Sequence, residues 1–146
     1  MGFIDSIKSF FLKAFDFRTR SSRSEFWYPH LAQILFFSLF LIPPSFLFLD
    51  LLGSVLSYLF ILPEISLNVR RFHDVEMSGW WLICYPLILL LILIPPVFNS
   101  TFVGVFIIPL ILSLIIIWIY LMCKKGDVRD NKYGPDPLAL VKKKIN

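Results

Sequence analysis

The residues best equipped for chemistry lie in one polar interruption of an apolar chain, "NVRRFHDVEMSGWW", residues 68–81. Arg70 and Arg71 can each present a planar fork of donors to a carboxylate or phosphate. His73 beside Asp74 has the make-up of a general base with an orienting carboxylate. Adjacent His and Asp are common, however, and no companion ligand stands at a metal-binding spacing: His30, Cys84 and Cys123 form no such pattern with them. We therefore expect no metal, no cofactor and no catalytic residue, and take Arg70, Arg71, His73 and Asp74 as binding candidates.

Two carboxylates accompany them. Glu25 begins an apolar segment and would meet Arg70 or Arg71 if that segment and the one ending at the arginines form an antiparallel hairpin. Glu64, just after Pro63, lies inside an apolar run, one helical turn before Asn68 and two before Arg71. A carboxylate in such a place costs a few kcal/mol unless it is paired or protonated. It is a functional candidate on that ground; the plainer alternative is an interfacial Glu that reaches water or pairs with an arginine.

The elements that must hold these groups are membrane helices. Of the 146 residues 58% are hydrophobic and sixteen are Phe, a composition that excludes an ordinary soluble domain. We expect an all-α integral membrane protein of a single domain, residues 1–146, with four transmembrane helices. The spans fall at residues 26–42, 46–69, 80–94 and 102–123, separated by the polar stretch above and by turns at Pro43 with Pro44 and at residues 95–101. Residues 1–22 comprise an amphipathic helix, with Phe3, Ile4, Ile7, Phe10, Phe11, Ala14 and Phe15 on its apolar side and Ser9 on the other, and a basic linker; the helix either lies in the membrane interface or packs under the transmembrane bundle. Residues 124–146 are a basic tail. Ser24 is placed to cap the first span, and Pro86 and Pro109 to kink the third and fourth.

Orientation follows from charge. The 14 lysines and arginines lie before the first span, between the second and third, and after the fourth. The positive-inside rule then sets both termini in the cytoplasm. Trp27, Tyr28, Trp80 and Trp81 would anchor the same ends at the headgroups, while Asp50 is the one charge at the outer face. Residues 17–25, 70–79 and 124–137 thereby converge into a polar cytoplasmic cap. Its basic residues would attract anionic lipid headgroups. Other partners compatible with it are a membrane protein or a second copy of the chain. Nucleic acid is not expected, because topology already accounts for the charge. Two further functions remain open: a small oligomeric transporter or channel with Glu64 on its path, and an enzyme on a membrane-bound substrate using His73 and Asp74.

"SRSEFWY", "RRFHD", "SGWW" and "NKYGPDP", in this order with hydrophobic spans between them, resemble the YhaH-like family of small bacterial inner-membrane proteins, a domain of unknown function. The resemblance implies a fold and a location but no reaction. It runs over residues 17–137 and carries over Arg20, Arg23, Glu25 and Trp27, then Arg70, Arg71, His73 and Asp74, then Ser78, Gly79 and Trp80, and finally Asn131, Tyr133, Gly134, Pro135 and Pro137. Thr19, Phe72, Glu76 and Met77 depart from the family pattern; the last pair makes the central loop more acidic and weakens a phosphate-binding reading of it.

Overall fold

The computed structural model describes residues 1–38, 47–84, 86 and 103–139. The described chain is helical: α1 (Phe3–Leu12), α2 (Arg23–Ser38), α3 (Leu47–Asp74), a 3-10 turn (Gly79–Ile83), and a π turn (Val103–Ile107) that runs directly into α4 (Ile108–Cys123). No strand forms among the described residues; an isolated bridge joins Asn131 and Gly134.

Helix boundaries follow from local hydrogen bonding. The cap of α2 is Ser22, two residues ahead of the expected Ser24: Ser22 Oγ accepts from the Glu25 N–H at 3.4 Å. Pro29 sits early in α2, and Pro109 is the second residue of α4, where a missing N–H costs little. α3 runs a full turn beyond the apolar stretch to Asp74, because its last polar side chains find partners in the rest of the molecule. It then stops at Glu76, whose φ of 64° takes the left-handed position usually given to glycine. The Met77 N–H closes the end on the Phe72 carbonyl at 2.9 Å. Ser78 caps the following turn, accepting from Trp80 N–H at 3.4 Å.

α1 departs from the expected division of faces. Its apolar Ile4, Phe11 and Leu12 point outward, whereas Ser6 and Ser9 are buried. The reason is local: Ser6 Oγ–H bonds back to the Gly2 carbonyl at 2.9 Å, and Ser9 turns its hydroxyl to Glu25. Buried hydroxyls of this kind need a partner, and both have one.

The buried core is small and lies where the polar segments gather. Phe10 of α1, Phe26 of α2, Leu67 and Phe72 of α3, and Met122 of α4 form it, with Trp27, Phe60, Trp118 and Leu121 packed around. Away from that end, α3 and α4 expose Leu51, Val55, Leu59, Ile108, Leu112 and Ile116. Two helices are long and apolar enough to cross a membrane, within Leu51–Asp74 and Val105–Cys123. Their most apolar windows are only 22% and 6% buried, unlike the core helix of a water-soluble protein. At 1.5 Å per residue, helices of 24 and 19 residues reach roughly 36 and 28 Å, against an apolar bilayer thickness of about 30 Å.

The first expected span is helical as far as Ser38. Its last residues, the turn at Pro43 and Pro44, the Asp50 side chain, most of the third span, the turn at 95–101 and Lys142 to Lys144 lie outside the described residues.

Candidate functional site

Two buried carboxylates organise the polar end of the molecule. Glu25, on the first turn of α2, is 2% exposed. Its Oε1 accepts from Ser9 Oγ at 2.6 Å, from Arg70 Nη1 at 3.0 Å and from Lys13 Nζ at 3.1 Å, so α1, α2 and α3 meet on one atom. Burial alone would raise the Glu25 pKa, but the Lys13 charge, the Ser9 hydroxyl and the Arg70 charge outweigh it and hold the carboxyl below its ordinary value. The expected contact of Glu25 with the arginine pair is thus made by Arg70. Ser66 Oγ, 2.7 Å from both the Lys13 and the Asp16 carbonyl oxygens, fastens the end of α1 to α3 from the other side. Asp16 itself ties the linker: its carboxylate accepts from the N–H groups of Arg18 and Thr19 and from the Thr19 hydroxyl.

Asp74, the last residue of α3, is the second centre. Arg20 Nε and Nη2 donate to Oδ1 at 3.1 and 2.9 Å, and Arg71 Nη1 donates to Oδ2. The remaining donors of the two arginines reach backbone. Arg71 bonds the carbonyls of Met122 at 3.0 and 3.1 Å, Ser21 at 3.3 Å and Lys124. Arg20 bonds those of Arg129 at 2.7 Å, Gly134 at 3.3 Å and Asp127. Apart from that of Ser21, in the linker before α2, these carbonyls lie at the C-terminal end of α4 and in the segment after it. The Asp127 N–H donates to the Asp74 carbonyl at 2.9 Å, bringing that segment against the end of α3. Gly126 is what permits the approach, since a Cβ there would overlap the Asp74 carboxylate.

His73 does not pair with Asp74. Its ring lies flat on Tyr133, with centroids 3.8 Å apart and planes 3° from parallel, and Nδ1 is 3.3 Å from the Thr19 carbonyl oxygen. Asn131 Nδ2 donates to the His73 carbonyl at 3.0 Å, and Asn131 Oδ1 accepts from Tyr133 N–H at 2.9 Å. A tight turn at 131–134 results. Gly134, with φ of 127°, occupies a conformation that a side chain would strain.

The sequence candidates Arg20, Glu25, Arg70, Arg71, His73, Asp74, Asn131 and Tyr133 therefore converge. Arg70 and Arg71 are 0% exposed and Arg20 3%, so their charge is spent inside the protein. Arg23 is apart from them, exposed on the rim of a cavity of about 530 Å³. Lys125, also exposed, and Ser22, Asp127 and Asp136 line the same cavity. Trp80 and Trp81 are 77% and 55% exposed, whereas Trp27 and Tyr28 are half-buried. Trp27 stands edge-on to Phe26 and Trp118, and Tyr28 to Phe3.

Glu64 belongs to a third centre, and its partner is not an arginine. His30 Nε2 lies 2.8 Å from Glu64 Oε1, Asn68 Nδ2 donates to the same oxygen at 2.9 Å, and Gln33 Nε2 donates to Oε2 at 3.2 Å. The signal was in the sequence: His30 and Gln33 are three apart in one apolar helix, and Glu64 and Asn68 four apart in the next. Ser9, Lys13, Ser66, Gly126 and Asp127 carried no comparable signal, being ordinary residues whose roles depend on distant carbonyls and carboxylates.

A family model described as "Protein of unknown function (DUF805)" matches residues 14–135. The match takes in Arg20 through Gly134 and leaves out Ser9, Lys13 and Asp136. "Inner membrane protein YhaH" of Escherichia coli (strain K12) is 32% identical over 127 residues, which is 83% of this chain and 86% of that protein. The protein of the same name from Escherichia coli O157:H7 matches to the same extent. No solved structure matches the chain.

Proposed function

The chain belongs to the DUF805 family, and from that premise we propose that it is a multi-pass protein of the bacterial inner membrane whose polar cap binds anionic lipid headgroups without catalysis. It has four spans with both termini in the cytoplasm. The named location of its relatives and the placement of all basic residues on one side of the spans support this topology.

The observation that carries the binding role is the cavity of about 530 Å³ between the start of α2 and residues 125–139. Arg20, Arg70 and Arg71 build the cap and are unavailable to a ligand, whereas Arg23 and Lys125 are exposed at the cavity. Asp127 and Asp136 in the same lining each accept a backbone N–H, from Arg129 and from Leu138. The two exposed cations are then the donors offered to a phosphate at the level of the headgroups.

A basic residue near an anionic surface contributes about 1 kcal/mol. Substituting both, Arg23→Ala with Lys125→Ala, should weaken retention of anionic lipid by about 30-fold. Native mass spectrometry of the purified protein with bound lipid reads this directly. Undiminished anionic lipid on a folded double variant would contradict the proposal.

A further inference from the structure

We propose that His30 and Glu64 form a proton-binding site between α2 and α3. It lies apart from the cap and does not depend on the headgroup reading.

His30 Nδ1 is 2.8 Å from the Phe26 carbonyl oxygen. A carbonyl oxygen only accepts, so Nδ1 carries a hydrogen. That fixes the question at the other ring nitrogen. Nε2 faces Glu64 Oε1 at 2.8 Å, a distance that needs a proton between them. The pair is either imidazolium with carboxylate or imidazole with carboxylic acid; in both forms it holds one proton beyond the Nδ1 hydrogen. Without that proton, two lone pairs would oppose each other at hydrogen-bond distance. The net charge of the pair would go from zero to −1 amid apolar side chains.

The surroundings isolate the pair electrostatically. α1 faces this region with Ile7, Phe10 and Phe11, and α4 contributes Trp118, whose Nε1 donates to Asn68 Oδ1 at 3.3 Å. The cap cations Lys13 and Arg70 are engaged by Glu25. Among the described residues, the charged group facing His30 is Glu64 and the one facing Glu64 is His30. The site is nevertheless reachable. A cavity of about 240 Å³, lined by Gln33, Phe37, Ser57, Phe60, Ile61 and Glu64, opens beside it. The Glu64 side chain is 31% exposed there, against 17% for His30. A proton can enter and leave from that side. Its loss opposes two lone pairs at a contact between α2 and α3 that the Gln33 amide, donating to the other Glu64 oxygen, also bridges.

The test is a proton count on the full-length protein in phosphatidylcholine nanodiscs. Nitrogen-15 NMR of labelled histidine reads the His30 ring, and the infrared carboxyl band reads Glu64, from pH 5 to pH 10. At pH 7 one extra proton should be found on the pair, lost in a single alkaline step and absent in Glu64→Gln, whose amide can donate to a neutral ring. His73, the other histidine, should be unchanged by that substitution. A neutral His30 beside an ionised Glu64 at pH 7, or the same titration in Glu64→Gln as in the wild type, would overturn the proposal. Should Glu64→Gln fail to fold, His30→Gln serves instead: the Glu64 carboxyl band must shift on that substitution, and an unshifted band rejects the site.

Discussion

Asp74 shows how a polar motif becomes scaffolding. Its carboxylate is shared by Arg20 and Arg71, its carbonyl accepts from Asp127, and Gly126 passes directly over it. Two buried charges of opposite sign held this way are stable only together, and removing one partner of a buried pair costs about 3–5 kcal/mol. Any side chain at Gly126 would prise the segment off the pair. Gly126→Ala should therefore lower the melting temperature of the detergent-solubilised protein, with a loss of a few kcal/mol. A melting temperature equal to the wild type would show that the segment is not held in this way. The residues of "RRFHD" were legible as a polar centre, but their work was not. The carbonyls that Arg71 bonds belong to Ser21, Met122 and Lys124, 50, 51 and 53 positions away, and no local pattern announces a carbonyl. For the same reason the expected pairing of Glu64 with an arginine gives way to His30, which approaches from another helix.

Among the elements, the four α-helices were legible from hydrophobic runs and helical spacing, while their ends were not. α3 overran its apolar stretch because Arg70, Arg71 and Asp74 had partners to reach, and α2 started at the serine nearer the linker. The polar segment after α4 has little regular structure of its own and no large apolar face to bury. Arg20 fastens it at three points, the carbonyls of Asp127, Arg129 and Gly134, beside the bonds of Asp127 and Asn131 to the end of α3. Arg20→Ala should release it locally, since low-stability segments open without global unfolding. Limited trypsinolysis should then cut several-fold faster at Lys124, Lys125, Arg129 or Lys132 while the helical content stays at the wild-type level. Equal cleavage rates in the two proteins would mean that the segment is held by something other than Arg20.

At the scale of the whole molecule, the described residues pack at one end and turn apolar side chains outward along the helices. Phe10, Phe26, Leu67, Phe72 and Met122 form a core beneath the polar cap, whereas Leu51, Val55, Leu59 and Ile116 face outward. This division was readable from composition and from where the charges fall, because bilayer thickness and the cost of crossing with a charge act on sequence directly. The proposed topology makes a definite demand. Reporters fused to either end should behave as cytoplasmic, fluorescent for a green fluorescent protein and inactive for a phosphatase that needs export. An exported reporter at one end would require an odd number of spans.

Covalent capture of a ligand at the cap decides whether it binds anionic headgroups. A photoreactive anionic phospholipid, activated in native membranes, should label peptides around Arg23 and Lys125, compete with unlabelled anionic lipid, and lose that labelling when both residues are alanine. Labelling spread evenly over the apolar helices, or equal labelling by a zwitterionic analogue, would contradict it.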